Sequence, residues 1–136
     1  MKNLFAAIMT KTSGSSLSTA VGGRIYLDEA PAGCEFPYVV FRVVTGGPDN
    51  MFNKKGKDTL IQFSLFSTSK GATEITTMYA DLMALFDECV MTITSNNLVL
   101  MDFQNLATMV DEITTPEGTA TLKHWAVDFN IITQES

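Results

Sequence analysis

Apolar positions along this chain change period several times, and each change marks an element. Leu4, Ala7 and Ile8 fall three and four apart, the spacing of one face of a short amphipathic helix. The polar run Thr10-Lys11-Thr12-Ser13-Gly14-Ser15-Ser16 reads as a loop, Leu17–Val21 as a further helical turn, and Gly22-Gly23 as its end. Arg24–Leu27 reads as a strand, with Pro31 and Gly33 making the turn that follows. Pro37 lacks a backbone donor and suits the first position of a strand or an edge. Tyr38–Val44 is dense in β-branched and aromatic residues, as strands are. Gly46–Lys57 reads as a long loop. Alternation returns at Leu60–Phe66, with Ile61, Phe63 and Leu65 on one face and Gln62 and Ser64 on the other. Phe66 departs from the alternation, as a residue covered on both faces would.

Lys70–Glu88 carries the clearest helical period: Ile75, Met78, Tyr79, Leu82, Leu85 and Phe86 recur at steps of three and four. Ser67, Thr68 or Ser69 supplies a cap, and Glu74 sits in the early turns. Burying such side chains is worth roughly 1.5–3 kcal/mol each before entropy is charged. Met91–Thr94 and Leu98–Met101 read as strands joined by Ser95-Asn96-Asn97, with a further strand over Phe103–Met109 and a turn at Thr114–Gly118. In the last strand Trp125, Val127, Phe129 and Ile131 alternate with Ala126, Asp128, Asn130 and Ile132. There is no internal repeat. The order helix, strands, helix, strands predicts one α+β domain over residues 1–136: a mainly antiparallel sheet of four to six strands with helices packed on one face.

Composition sharpens this picture. Of 136 residues, 46% are apolar and only 18% charged, against about 25% charged in a typical domain. Such a chain must bury much or expose apolar patches, and exposed patches mark partner surfaces. A net charge of −6 with nine Lys and Arg argues against gripping nucleic acid. An acidic surface can still line a channel through which DNA slides, since like charge prevents sticking. Two cysteines are too few for a disulfide scaffold and predict free thiols. No run approaches the ~18 apolar residues of a membrane span. The apolar run Leu4–Met9 is shorter than the ~7–15 residues of a signal peptide, and no Ala-x-Ala site follows it.

Candidate chemistry is sparse. His124 is the one histidine, which excludes multi-His metal sites and paired-His motifs. A Cys34–His124 nucleophile pair is conceivable, but the Ala-Gly-Cys-Glu turn gives Cys34 no nucleophile context. The plainer expectations are a small turn residue for Cys34, a helix-end residue touching the core for Cys89, and a polar strand-start position beside Trp125 for His124. Gly56-Lys57-Asp58-Thr59 fails as a phosphate loop, because Met51 stands where the first Gly belongs and Asp58 where Ser or Thr belongs. Asp28-Glu29 and Asp111-Glu112 are neighbours, which a strand points to opposite faces, so neither is a natural acid/base couple. No catalytic, cofactor-binding or metal-ligating residue is assigned. Lys54, Lys55 and Lys57 form the basic cluster, beside Met51 and Phe52, which have no periodic place in the core. A solvated loop tip and a docking surface are the two readings. The candidate assembly interface is Met51, Phe52, Asn53, Lys54, Lys55 and Lys57.

One stretch carries a family likeness. Gly22-Gly23-Arg24-Ile25-Tyr26-Leu27-Asp28-Glu29-Ala30-Pro31-Ala32-Gly33-Cys34-Glu35-Phe36-Pro37-Tyr38-Val39-Val40-Phe41 resembles the tail-completion or tail-terminator proteins of long-tailed bacteriophages. In that family a G-R-(I/V)-Y strand is followed by A-P-x-G and then by P-Y-(V/I)-V. The likeness is strongest over Leu17–Phe41 and extends more weakly through Leu60–Phe66, Ala72–Glu88 and the final strand. Cys34-Glu35 departs from it, since the family more often has small or polar residues there. The resemblance implies a structural virion protein that forms a homo-oligomeric ring, typically a hexamer, on the head-proximal end of the tail tube. Such a ring ends tail growth, offers a surface to head-completion proteins and passes DNA through its lumen without sequence-specific binding. It implies no cofactor, no reaction and no membrane, and a place at the tail–neck junction of a virion made in the bacterial host cytoplasm. The rival readings are another neck or tail-tube component, a small cytosolic ligand-binding α+β domain, and a minor enzyme using Cys34.

Overall fold

Odd-numbered positions of the strand that opens at Gly56 point one way, and that way lies the core. In the computed structural model, which describes residues 2–48, 56–69, 71–87, 89, 91–93, 96–115 and 118–135, Ile61, Phe63 and Leu65 are fully buried. They belong to β3 (Gly56–Ser67), the third strand of a six-stranded sheet. Around it stand β1 (Ile25–Leu27), β2 (Tyr38–Pro48), β4 (Thr92–Ile93), β5 (Asn96–Thr115) and β6 (Gly118–Glu135), in the spatial order β1-β2-β3-β6-β5-β4. Only β1 and β2 run parallel; every other neighbouring pair is antiparallel. The fold is α+β, as expected.

Among the described residues three helices supply the other half of the core: α1 (Lys2–Thr12), α2 (Ser16–Ala20) and α3 (Thr73–Phe86). Leu4, Ala7 and Ile8 of α1, Leu17 of α2, and Ile75, Met78, Leu82 and Phe86 of α3 join Val39, Phe41, Val127, Phe129, Ile131 and Met101 in one buried cluster. All these strand residues share the parity of Phe63 through the ladders Phe41↔Phe63 and Phe63↔Val127, so the helices cover a single face. Phe63 is the hub, with ring centroids 5.7 Å from Phe41, 4.9 Å from Phe86 and 5.7 Å from Phe129. Tyr79 is only partly buried and packs edge-on against Trp125 at 5.8 Å.

Several local expectations need correction. The polar run after α1 is mostly helix: Thr12 still belongs to α1, and its hydroxyl donates to the Met9 carbonyl at 2.9 Å. Ser15 then caps α2 by accepting from the Ser18 N–H. The loop expected over Gly46–Lys57 is strand at both of its ends, because the β2–β3 ladder continues through Gly46↔Thr59, Gly47↔Asp58 and Pro48↔Lys57; residues 49–55 lie outside the described residues. The α3 cap is not a serine or threonine; Ala72 holds that position, while Ser67 donates to Glu74 Oε1 at 2.6 Å. Asn96 and Asn97 lie in β5 rather than in a turn, and the separate strands at Leu98–Met101 and Phe103–Met109 are one strand. Register shifts between Leu98 and Leu100 and between Phe103 and Asn105 explain the misreading. Each inserted residue flips the apolar phase, which breaks a period of two without breaking the strand. His124 sits well inside β6, not at a strand start.

The two longest strands outrun the sheet. β3 ends at the pair Ser67↔Lys123. β5 and β6 continue together from Asp111↔Leu122 to Thr115↔Gly118, a two-stranded ribbon reaching about 17 Å past the body at ~3.4 Å per residue.

Candidate functional site

Even-numbered positions of β3 point away from the helices. With their ladder partners they build a helix-free face: Tyr38, Val40 and Arg42 of β2, Gln62, Ser64 and Phe66 of β3, and His124, Ala126 and Asp128 of β6. Phe66, which departs from the polar alternation, lies on this face rather than between two layers. It is sandwiched between Tyr38, 4.7 Å away by ring centroids, and His124, 4.3 Å away and nearly parallel. Tyr38 also touches Phe36 at 5.2 Å and Tyr26 at 6.4 Å. An aromatic layer thus coats one end of the face. Gln62 Nε2 donates to Asp128 Oδ1 at 3.1 Å and fixes the polar part beyond it.

The segment between β1 and β2 arches over this layer, and residues of the 22–41 stretch shape it. Gly22 and Gly23 both take positive φ, 59° and 78°, which turns the chain sharply out of α2. Arg24 then reaches across, donating from Nε to the Pro37 carbonyl at 3.0 Å and from Nη2 to the Phe36 carbonyl at 3.5 Å. Its contact with Glu35, at 4.0 Å with Glu35 85% exposed, adds little. Asp28 takes φ 66°, and its N–H donates to the Phe41 carbonyl at 2.9 Å. The arch and the sheet enclose an open cavity of about 550 Å³, with Asp28, Glu29, Cys34, Phe36, Arg42 and His124 among its walls.

Cys34 and His124 therefore meet the same cavity, but not each other. The Cys34 sulfur lies 3.5 Å from both the Tyr26 hydroxyl and the Glu35 carbonyl, and its one proton serves the carbonyl when the Tyr26 hydroxyl donates to the sulfur. His124 lies flat on Phe66, and its buried Nε2 has no hydrogen-bond partner among the described residues. A nucleophile needs its base within hydrogen-bond reach, and this arrangement does not make that bond. Tyr26 is pushed above the ordinary phenol range, first by its hydrogen bond with Cys34 and then by burial. Burial also raises Tyr38. Cys89 stands just past α3 with its thiol 3.6 Å from Met101 Sδ, as a helix-end residue touching the core would, and burial raises its pKa.

Burial lowers the His124 pKa below its usual 6.5, partly offset by Asp111. A folded-state pKa below the unfolded one favours the native state fully above the unfolded value, and that favour is lost as pH falls through the folded value. Acidification from neutral pH should therefore destabilise the wild type more than His124→Gln, measured as the denaturation midpoint at several pH values. Parallel pH curves for the two proteins would show that His124 carries no such linkage.

Of the interface residues expected from sequence, Lys57 is exposed at the start of β3, paired with Pro48 and Thr133. Met51, Phe52, Asn53, Lys54 and Lys55 lie outside the described residues. Sequence reading passed over the β5–β6 ribbon. Just before it, the adjacent pair Met109-Val110, which a strand must send to opposite faces, is 40% and 68% exposed.

Comparison with known proteins gives the fold a context. One solved chain, from "Virion of native gene transfer agent (GTA) particle", superposes with a TM-score of 0.70 at 15% identity, covering 95% of this chain and 92% of that one. A second solved protein, whose name describes no activity, superposes with a TM-score of 0.60 at 15% identity over 96% of this chain and 94% of that one. At such identities these establish a shared fold. No curated protein matches this chain in sequence. Residues 2–134 match the family described as "Tail completion protein gp17". The match spans both the 22–41 stretch that Arg24 organises and the strands that carry the ribbon, and the chain belongs to the tail completion protein gp17 family.

Proposed function

We propose that this chain is a structural virion protein that caps the head-proximal end of a phage tail tube as a closed homo-oligomeric ring, six-fold, ending tail growth and presenting a surface to head-completion proteins. The observation that carries the reading is the family match over residues 2–134. The likeness of its fold to a chain from a gene transfer agent virion supports it. The geometry agrees: the residues that distinguish the 22–41 stretch hold backbone and packing, and Leu27, Val44, Met109 and Val110 are apolar side chains left exposed on strands. DNA would pass the lumen without being gripped, since the net charge is −6.

The segment around Met51, Phe52, Asn53, Lys54, Lys55 and Lys57 is one proposed contact with a neighbouring subunit or the tube. Met51→Ser combined with Phe52→Ser should reduce ring formation and give tails of abnormal length. Mass measurement of the purified protein and imaging of tails from phage carrying the variant test this. Normal rings and normal tails would remove the segment from the interface. A wild-type protein that stays monomeric alone and on assembled tails would end the ring reading.

A further inference from the structure

The β5–β6 ribbon has two unlike faces. The ladder pairs Asp111↔Leu122 and Ile113↔Ala120 put Asp111, Ile113, Ala120 and Leu122 on one of them. Glu112, Thr114, Thr119 and Thr121 take the other, all four exposed. The first face is apolar apart from Asp111 at its base. It also continues the aromatic layer of the sheet, because Tyr38↔Phe66, Phe66↔His124 and Met109↔His124 form one row across four strands. Met109, 40% exposed, joins that layer to the ribbon.

The core of the molecule does not cover this extension. Met109, Ile113 and Leu122 belong neither to the buried cluster nor to the side chains packed on it. The helices cover the opposite face of the sheet, and β3 has ended at Ser67. A two-stranded ribbon alone in water is marginally stable and gains from a layer packed on its apolar face. Charge says what kind of layer. Among the described strand residues this face carries Asp58, Asp102, Asp111 and Asp128 against one cation, Arg42. Asp28 and Glu29 of the arch border it too. A second copy, itself at −6, would bring like charge to it, whereas Lys or Arg around an apolar centre would complement it.

We propose that the ribbon is an arm that lays its Met109, Ile113 and Leu122 face on a different protein, whose contact surface is apolar at the centre and basic around it. The inference rests on the capping reading above, which makes the open end of the tail tube the surface to be held, and it assigns the arm to that end. Contacts between copies in the ring then lie elsewhere on the subunit. The apolar side chains supply the affinity by excluding water, and Asp111 guides register and encounter.

Neighbouring residues on opposite faces give the test its controls. Tail tubes assembled in the absence of this protein are the probe, and binding is read by co-sedimentation. Ring mass and denaturation midpoint are measured on the same proteins. Met109→Ser and Asp111→Lys should each weaken tube binding about tenfold, the scale of an interface side chain that matters. Val110→Ser and Glu112→Lys, one position along on the other face, should leave binding unchanged. All four should form rings and unfold as the wild type does. Raised salt should weaken wild-type binding. Phage carrying Met109→Ser with Asp111→Lys should make tails of uncontrolled length. Equal losses on both faces, or none on either, overturn the arm. Loss of rings in the Met109 and Asp111 variants makes the occupant a second copy and overturns it as well. Tails of normal length that fail to join heads put the partner on the head side and overturn the assignment to the tube. A wild type that does not bind such tubes ends the capping reading and the arm with it, whereas wild-type binding that survives both variants ends the arm alone.

Discussion

Phe63→Ala should cost about 3–5 kcal/mol, the range for truncating a buried aromatic. Phe63 has no exposure, and its ring meets Phe41, Phe86 and Phe129 within 5.7 Å. Those three rings come from β2, α3 and β6, so the lesion opens a void where sheet and helix layer join. Relaxation is limited, because the partners are themselves buried and each is held by its own strand or helix. Domains of this size are stable by about 5–15 kcal/mol, so the variant should sit near the edge of folding. Denaturant unfolding would show a lower midpoint with the slope unchanged. Val110→Ser is the control: at 68% exposure it should move stability by no more than about 0.5 kcal/mol. Equal midpoints for Phe63→Ala and the wild type would show that the buried face of β3 is misassigned.

Arg24→Ala should cost about 1.5–3 kcal/mol, the scale of hydrogen bonds that involve a charged group. The guanidinium donates to two carbonyls, at Pro37 and Phe36, and thereby holds the far end of the 28–37 arch against the exit from α2. Losing it leaves those carbonyls unpaired and frees Phe36 from Tyr38. The near-ultraviolet signal of the tyrosine cluster should weaken, and proteolysis should begin within residues 28–37. Arg24→Lys should rescue little, since an ammonium cannot present the planar fork. Gly22→Ala approaches the same contact from the other side. At φ 59° an alanine is strained, and its Cβ would lie 2.9 Å from Arg24 Nη1, so the guanidinium must move. An Arg24→Ala protein with wild-type stability and an intact tyrosine signal would show that the arch holds itself.

These two residues also mark how far the sequence carries. The alternation of Ile61, Phe63 and Leu65 and of Val127, Phe129 and Ile131, and the three-four spacing of Ile75, Met78, Leu82 and Phe86, are local periods. They fixed the class of fold and the face each element buries, because burying a periodic stripe has one geometric solution. The 22–41 stretch likewise showed its family from residues alone. The sequence could not show why those residues are needed. Arg24 acts on carbonyls twelve and thirteen positions away, and no local pattern encodes that reach. Cys34 and His124 share a cavity only because the arch folds over the sheet face that carries His124. Phe66 broke the polar alternation because its partners, Tyr38 and His124, come from strands on either side of it. The ribbon was hidden for a different reason. Two bulges shifted the phase of β5, so one long strand read as two short ones. How far β5 and β6 outrun β3 depends on the register between strands, which tertiary pairing sets and a single strand's pattern does not contain.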